Sequence, residues 1–221
     1  MNFKPLLALI GVMLFGAGIV LAISGAQPTQ VGTQSRWNGN TSGNVTTEGG
    51  NITQVTVSAA TLTDRWAAFW GNVSGSIRLG DGSNYVYNWV TATPTGGEVC
   101  VSTNGTMTFA SLAAATATGI NTAFVLGSGS DNATNTFTNA TCTVTISQGS
   151  VANCANTTTT GGFNTCAITS GGTAKSNHAF CTVVNATGQN YFGQTVNYQI
   201  IAPTNNSVNA TETYFFYLEL S

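Results

Sequence analysis

Ionised side chains are what this sequence has least of. Five Lys and Arg and seven Asp and Glu amount to 5% of its 221 residues, with one His and a formal net charge of -2. An ordinary globular chain carries about 25% charged residues. This scarcity removes the basic footprint that nucleic acid requires and the polybasic cluster that anionic lipid requires, so no nucleic-acid partner is expected. Metal-ligand spacing is missing too. No two of the five cysteines form C-x-x-C, and His178 alone cannot complete a zinc site. No cofactor and no metal are expected.

Reactive constellations are equally scarce. The carboxylates Glu48, Asp64, Asp81, Glu98, Asp131, Glu212 and Glu219 are scattered, with no pair close in sequence to divide acid and base roles. His178 and Cys181 invite a thiol-base reading. On a strand, however, positions three apart point to opposite faces. Asp81 reads as a turn residue and Asp64 as a partner for a nearby cation such as Arg65. Asp131, in the Gly- and Ser-rich loop that starts at Gly127, is a single carboxylate and too little for calcium. The chain is therefore read as not an enzyme, with no catalytic residue.

The hydrophobic fraction, by contrast, is 42%, and the length suits one β-rich domain with a real core. Ser, Thr, Asn and Gly stand where charges usually do. Such a surface has little electrostatic protection against self-association; either a coat solvates it or it assembles.

Lys4 precedes an apolar run from Pro5 to Ile23, which the small residues Ser24, Gly25 and Ala26 follow. Residues 1–26 read as a secretory signal cleaved after Ala26, with an uncleaved membrane anchor as the alternative; any membrane contact would be through this segment. Residues 27–50 are almost free of aliphatics and read as a linker or stalk, or as an arm that becomes a strand on a neighbour's open sheet edge. Residues 51–221 read as a single domain.

In that domain β-branched alternation dominates. Strands are expected over 55–59, at Ile77 and Leu79, and from Tyr85 to Val90, with a hairpin turn at 80–84. Further strands are expected over 98–102, 120–126, 142–146, 180–184, 195–201 and 213–220, and one short helix over 111–117. The expected fold is all-β: an antiparallel β-sandwich, Ig-like or jelly-roll-like, with at most one short helix beyond the amino-terminal segment. Its core aromatics are expected to be Trp66, Trp70, Trp89, Tyr214 and Phe216, with the hairpin anchoring the core and the last strand central.

Exported cysteines default to disulfides. Cys154 and Cys166 bracket a short loop and are read as a local bridge, and Cys142 and Cys181 as a cross-sheet pair. Asn-x-Ser/Thr sequons fall at Asn40, Asn44, Asn51, Asn72, Asn104, Asn132, Asn139, Asn156, Asn185, Asn205 and Asn209, candidates for a solvating glycan coat.

The stretch from Trp66-Ala67-Ala68-Phe69-Trp70 through Gly71-Asn72-Val73-Ser74-Gly75, with Tyr87-Asn88-Trp89 and Gly97-Glu98-Val99, resembles a group of uncharacterised secreted surface proteins of archaea. The endings Tyr198-Gln199-Ile200 and Thr213-Tyr214-Phe215-Phe216-Tyr217-Leu218-Glu219-Leu220 are similar to that group as well. The resemblance implies an extracellular, cell-surface location and a β-rich fold; it carries no activity and does not include residues 142–181.

The function expected is that of a cell-surface structural protein, a filament or surface-layer subunit that assembles with itself or other surface components, through strand donation. Two alternatives stand beside it: a monomeric adhesin or carbohydrate-binding module with a glycan ligand, and a pilin-like subunit that retains its amino-terminal helix.

Overall fold

Alternation along the strands assigns the layers of this molecule. The computed structural model describes residues 23–36, 43–81, 83–91, 96–205 and 211–220. The apolar segment 1–22, expected to be a signal or anchor, lies outside the described residues, as do the sequons at Asn40 and Asn209. The strands are β1 (Ser24–Ala26), β2 (Trp66–Gly71), β3 (Gly75–Gly80), β4 (Tyr85–Thr91), β5 (Gly97–Ser102), β6 (Ala113–Ala114), β7 (Asn139–Ile146), β8 (Gly149–Thr158), β9 (Asn164–Thr169), β10 (His178–Val183), β11 (Tyr198–Pro203) and β12 (Phe215–Leu220). The main sheet runs β1-β12-β5-β10-β9-β8-β7, with β6 beside β9; β2 pairs with β11, and β3 with β4, each as a separate two-stranded ribbon.

β5 and β10 lie in the middle of the main sheet and are buried on both faces. On one face Cys100, Cys166, Ile168, Ala179, Cys181 and Tyr217 form a cluster that Val144 and Ile146 of β7 and Cys154 of β8 cover. On the other face Val101, Ala167 and Phe180 meet Ile200 and Ala202 of β11, with Trp66 and Phe69 of β2 at the margin. The molecule is therefore an all-β, antiparallel, sandwich-like fold with the main sheet covered on both sides.

The cover over the first face is the end of the main sheet itself. In pairing order β8 separates β7 from β9, so their Cα atoms would lie roughly 9.5 Å apart in a flat sheet. Cys142 of β7 and Cys166 of β9 are 5.8 Å apart and disulfide-bonded. The sheet must fold over along β8, where Asn153 takes a left-handed φ of 57° and the β7–β8 register slips twice. Bulges and a residue with positive φ are the ordinary means of bending a strand.

Two short helices rather than one complete the second face. α1 (Ala117–Ala123) and α2 (Ala133–Thr136) are capped by Thr116, whose hydroxyl accepts from Gly119 N at 3.1 Å, and by Asn132, whose Oδ1 accepts from Asn135 N at 2.9 Å. This corrects two expectations. The helix expected over 111–117 does not form, because Ala113 and Ala114 pair with β9 and only its last residue, Ala117, is helical, as the start of α1. Residues 120–126 are not a strand, because Ile120 and Phe124, four apart, share one buried helical stripe below the Thr116 cap.

Other expected strands appear within a few residues of their predicted positions, namely β5, β7, β10, β11 and β12. The strand expected over 55–59 does not: residues 51–63 carry no helix or strand, and residues 51–61 are exposed. β12 has neighbours on both sides, as a central strand does, but one of them is only the three-residue β1. Trp70 and Trp89 are not core residues, being 42% and 50% exposed. Trp66, Tyr214 and Phe216 do pack against the core, while the fully enclosed ring of the last strand is Tyr217, whose hydroxyl donates to Asn104 O and accepts from Met107 N.

Candidate interaction surface

The β3–β4 hairpin shows how far the surface departs from a closed sandwich. Asp81 shapes its turn: one carboxylate oxygen accepts from Ser83 N at 3.2 Å and Asn84 N at 2.8 Å, and these bonds hold the Asp81 carboxyl below its ordinary pKa. The register places Ile77 opposite Trp89 and Leu79 opposite Tyr87. Both pairs therefore lie on one face, whereas the register shift after Leu79 sets Tyr85 opposite Gly80, on the other face with Arg78. Tyr87 and Trp89 touch with ring centroids 4.7 Å apart. Arg78 lies over the Tyr85 ring at 5.3 Å, a cation-π contact. Among the described residues the hairpin joins no other strand, so this face is exposed, Tyr87 at 57% and Trp89 at 50%. The expectation that it anchors the core is corrected. Large rings on one face of a strand require a second layer only if the ribbon is folded onto one.

A second open element precedes it. Segment 51–61 carries Ile52, Val55 and Val57 to solvent, in alternation with Thr and Ser. Its downstream end is tied down at Asp131, whose carboxylate accepts from Thr63 Oγ1 at 2.6 Å and pairs with Arg65, while its carbonyl accepts from Trp66 Nε1 at 2.6 Å. The bonds from Thr63 and Arg65 lower the Asp131 pKa. Asp131 is thus a structural clamp, and Asp64 pairs with Arg36 rather than Arg65.

A third feature is the edge of the main sheet. β1 pairs antiparallel with β12, Ser24 opposite Leu218, Gly25 opposite Tyr217 and Ala26 opposite Phe216. Ile23, just before it, is buried at 7% exposure among Met107, Phe109 and Tyr217.

The chemistry-bearing side chains do not gather at these surfaces. Cys100 and Cys181, opposite each other on β5 and β10, form one disulfide, and Cys142 and Cys166 the other. The pairings expected from sequence, Cys154 with Cys166 and Cys142 with Cys181, are therefore corrected. The fold-over along β8 brings Cys142 onto Cys166, and Cys154 stays a buried thiol whose pKa burial pushes up. With Cys181 oxidised, no thiolate faces His178, whose own pKa burial lowers and whose Nδ1 lies 3.0 Å from Ala174 O.

One carboxylate pair does assemble, and sequence reasoning missed it. Glu98 and Glu219 lie opposite each other on β5 and β12. Glu98 Oε1 accepts from Thr145 N at 3.3 Å and Glu219 Oε2 from Ser147 N at 3.0 Å. The two side chains bridge β7 to the main sheet. Burial, with some repulsion from Glu219, pushes the Glu98 carboxyl up to about 7, and its Oε2 is buried without a partner, as suits a protonated carboxyl. No local signal announces the pair, because only the β5–β12 register unites the two residues. Among the described residues no group of three His, Cys, Asp or Glu side chains converges to hold a metal, and no helix is long and apolar enough to cross a membrane.

The sequons divide by accessibility. Asn44, Asn51, Asn72, Asn139, Asn185 and Asn205 are exposed and Asn104 is half-buried, whereas Asn132 and Asn156 are buried. Asn132 is engaged as a helix cap, and Asn156 Oδ1 accepts from Thr141 N.

The class these observations define is a disulfide-bonded, all-β sandwich-like domain with unpaired strand-forming surface. Comparisons with protein-family models, with curated proteins and with solved structures gave no match for this chain.

Proposed function

We propose that this protein is an extracellular, cell-surface structural subunit that builds a filament or surface layer by strand pairing between copies. The observation that carries the reading is the unpaired segment 51–61, strand-forming in sequence and exposed along its length, in a chain whose other apolar alternating segments are nearly all built into sheets. Two disulfides fit an oxidising compartment. A surface with so few charges favours association, and the resemblance to secreted archaeal surface proteins points the same way. Secretion through residues 1–26 and glycans on the exposed sequons belong to this reading.

A second reading has its own observation. The exposed, touching pair Tyr87 and Trp89 on the β3–β4 hairpin offers ring faces of the kind that sugars stack on. In that case the protein is a carbohydrate-binding adhesin.

Electron microscopy with size-exclusion chromatography separates the two. The full chain, secreted from a host with an oxidising export route, is expected to form ordered polymers. A persistent monomer that retains a glycan ligand, and loses it on Trp89→Ser, would replace the structural reading with the adhesin.

A further inference from the structure

β1 is an incomplete neighbour for β12. It covers three residues, Phe216, Tyr217 and Leu218, of a six-residue strand, and holds the edge with Ile23 sunk into the core beside Tyr217. The sequence at this edge is Ile23-Ser24-Gly25-Ala26: a branched aliphatic, a serine and two of the smallest residues. The exposed segment repeats that order as Val57-Ser58-Ala59-Ala60. A further near-match, Val73-Ser74-Gly75-Ser76, is already used by the fold, with Val73 buried and Gly75 opening β3.

The one change that adds a side-chain atom is Gly25 to Ala59, which faces Tyr217. A Cβ on Gly25 would have nothing within 4 Å. Laid along β12 in the register of β1, residue 57 takes the position of Ile23 opposite Glu219, and residues 58, 59 and 60 face Leu218, Tyr217 and Phe216. Thr61 then continues the pairing to Phe215.

We infer that β1 is a resident stand-in, and that residues 57–60 of a second copy replace it on the β12 edge once the chain up to Ala26 is removed. This rests on the assembly reading and names its donor and its acceptor. Removal of residues 1–26 takes away both the β1 backbone pairs and the Ile23 side chain, leaving an open edge and an apolar socket. The segment that can refill both is the one this chain holds out to solvent. Strand addition of this kind draws affinity from main-chain hydrogen bonds and specificity from alternate side chains in pockets. Here Val57 would fill the socket and Ala59 would clear Tyr217.

The test compares the full chain with its Val57→Asp variant, both secreted. Val57 is 87% exposed, so the variant folds as the parent does, with circular dichroism as the control; in the socket, however, a carboxylate would be desolvated beside Glu219. Polymer yield is expected to fall at least tenfold. Mass spectrometry of the parent polymers is expected to find chains that begin after Ala26. A photo-crosslinking residue at position 57, in a mixture of light and heavy-isotope copies, is expected to join light chains to heavy ones within residues 215–220. Undiminished polymers in Val57→Asp would overturn the inference while leaving the assembly reading intact. So would polymers whose chains still contain Ile23, or crosslinks confined to single copies. A parent chain that never polymerises overturns both.

Discussion

Glu98 is an expensive residue in its position. The residue is 3% exposed, faces Glu219 across the β5–β12 ladder, and its carboxyl accepts one long hydrogen bond. The folded pKa of about 7 lies above the 4.5 of the free side chain. The folded state therefore holds a proton that the unfolded state has lost between those two values, and linkage makes the protein more stable on the acid side. That stability is complete below about 4.5 and is lost as pH rises through 7. Between pH 5 and pH 8 the loss is expected to be on the order of 2–3 kcal/mol. Glu98→Gln keeps the shape, removes the titration, and is expected to flatten this part of the profile. Denaturant melts of both proteins at the two pH values measure it, and a variant with the slope of the parent would show that Glu98 is not its source. His178 titrates in the opposite sense, with its pKa lowered by burial, so the difference between the two proteins is the informative quantity.

Among the elements, the β3–β4 hairpin and β10 make opposite uses of aromatic side chains. Phe180 of β10 is 1% exposed and packs on Phe124 and Phe137 at 5.8 and 6.0 Å, so Phe180→Ala is expected to cost about 3–5 kcal/mol. Trp89→Ser on the hairpin is expected to change stability by no more than ~0.5 kcal/mol; a loss near that of Phe180→Ala would mean that the ring is covered in solution. The contrast also marks what could be read ahead of the structure. Short, largely apolar runs locate β5, β10 and β12, because a strand covered on both faces carries apolar residues on both. Alternation locates β3 and β4 equally well, but it is silent on whether a cover exists, and so it places Trp89 inside. β8 and β9 escape notice because Asn, Thr and Ser occupy positions that aliphatics fill elsewhere. The disulfide partners escape it because Cys142 reaches Cys166 only after β8 bends at Asn153, a conformational feature with no pattern in the flanking residues. The Ile23 and Val57 tetrapeptides are visible in the sequence from the start, yet they acquire meaning only when one of them is seen paired and the other not.

For the molecule as a whole, two observations pull in different directions: a heavily bonded centre and an open periphery. Cys100, Cys181 and Cys166 lie in one row across β5, β10 and β9, bridged to one another or to β7, and everything that displays unpaired strand lies outside them. Seen as a component under mechanical load, that arrangement sets a limit on stretch. The Cys100–Cys181 bridge spans 81 positions of sequence and encloses the Cys142–Cys166 bridge. At about 3.4 Å per extended residue it withholds on the order of 270 Å of chain from any pull applied at the ends. In single-molecule stretching the oxidised protein is expected to lengthen only by what lies outside that loop, and to gain the withheld length when reductant is added; equal lengthening in both conditions would refute the bridge as the limit. A strand built from such subunits would yield briefly at each junction and then hold, with its toughness set by the one outer covalent bond inside every subunit and its slack by the chain left outside it.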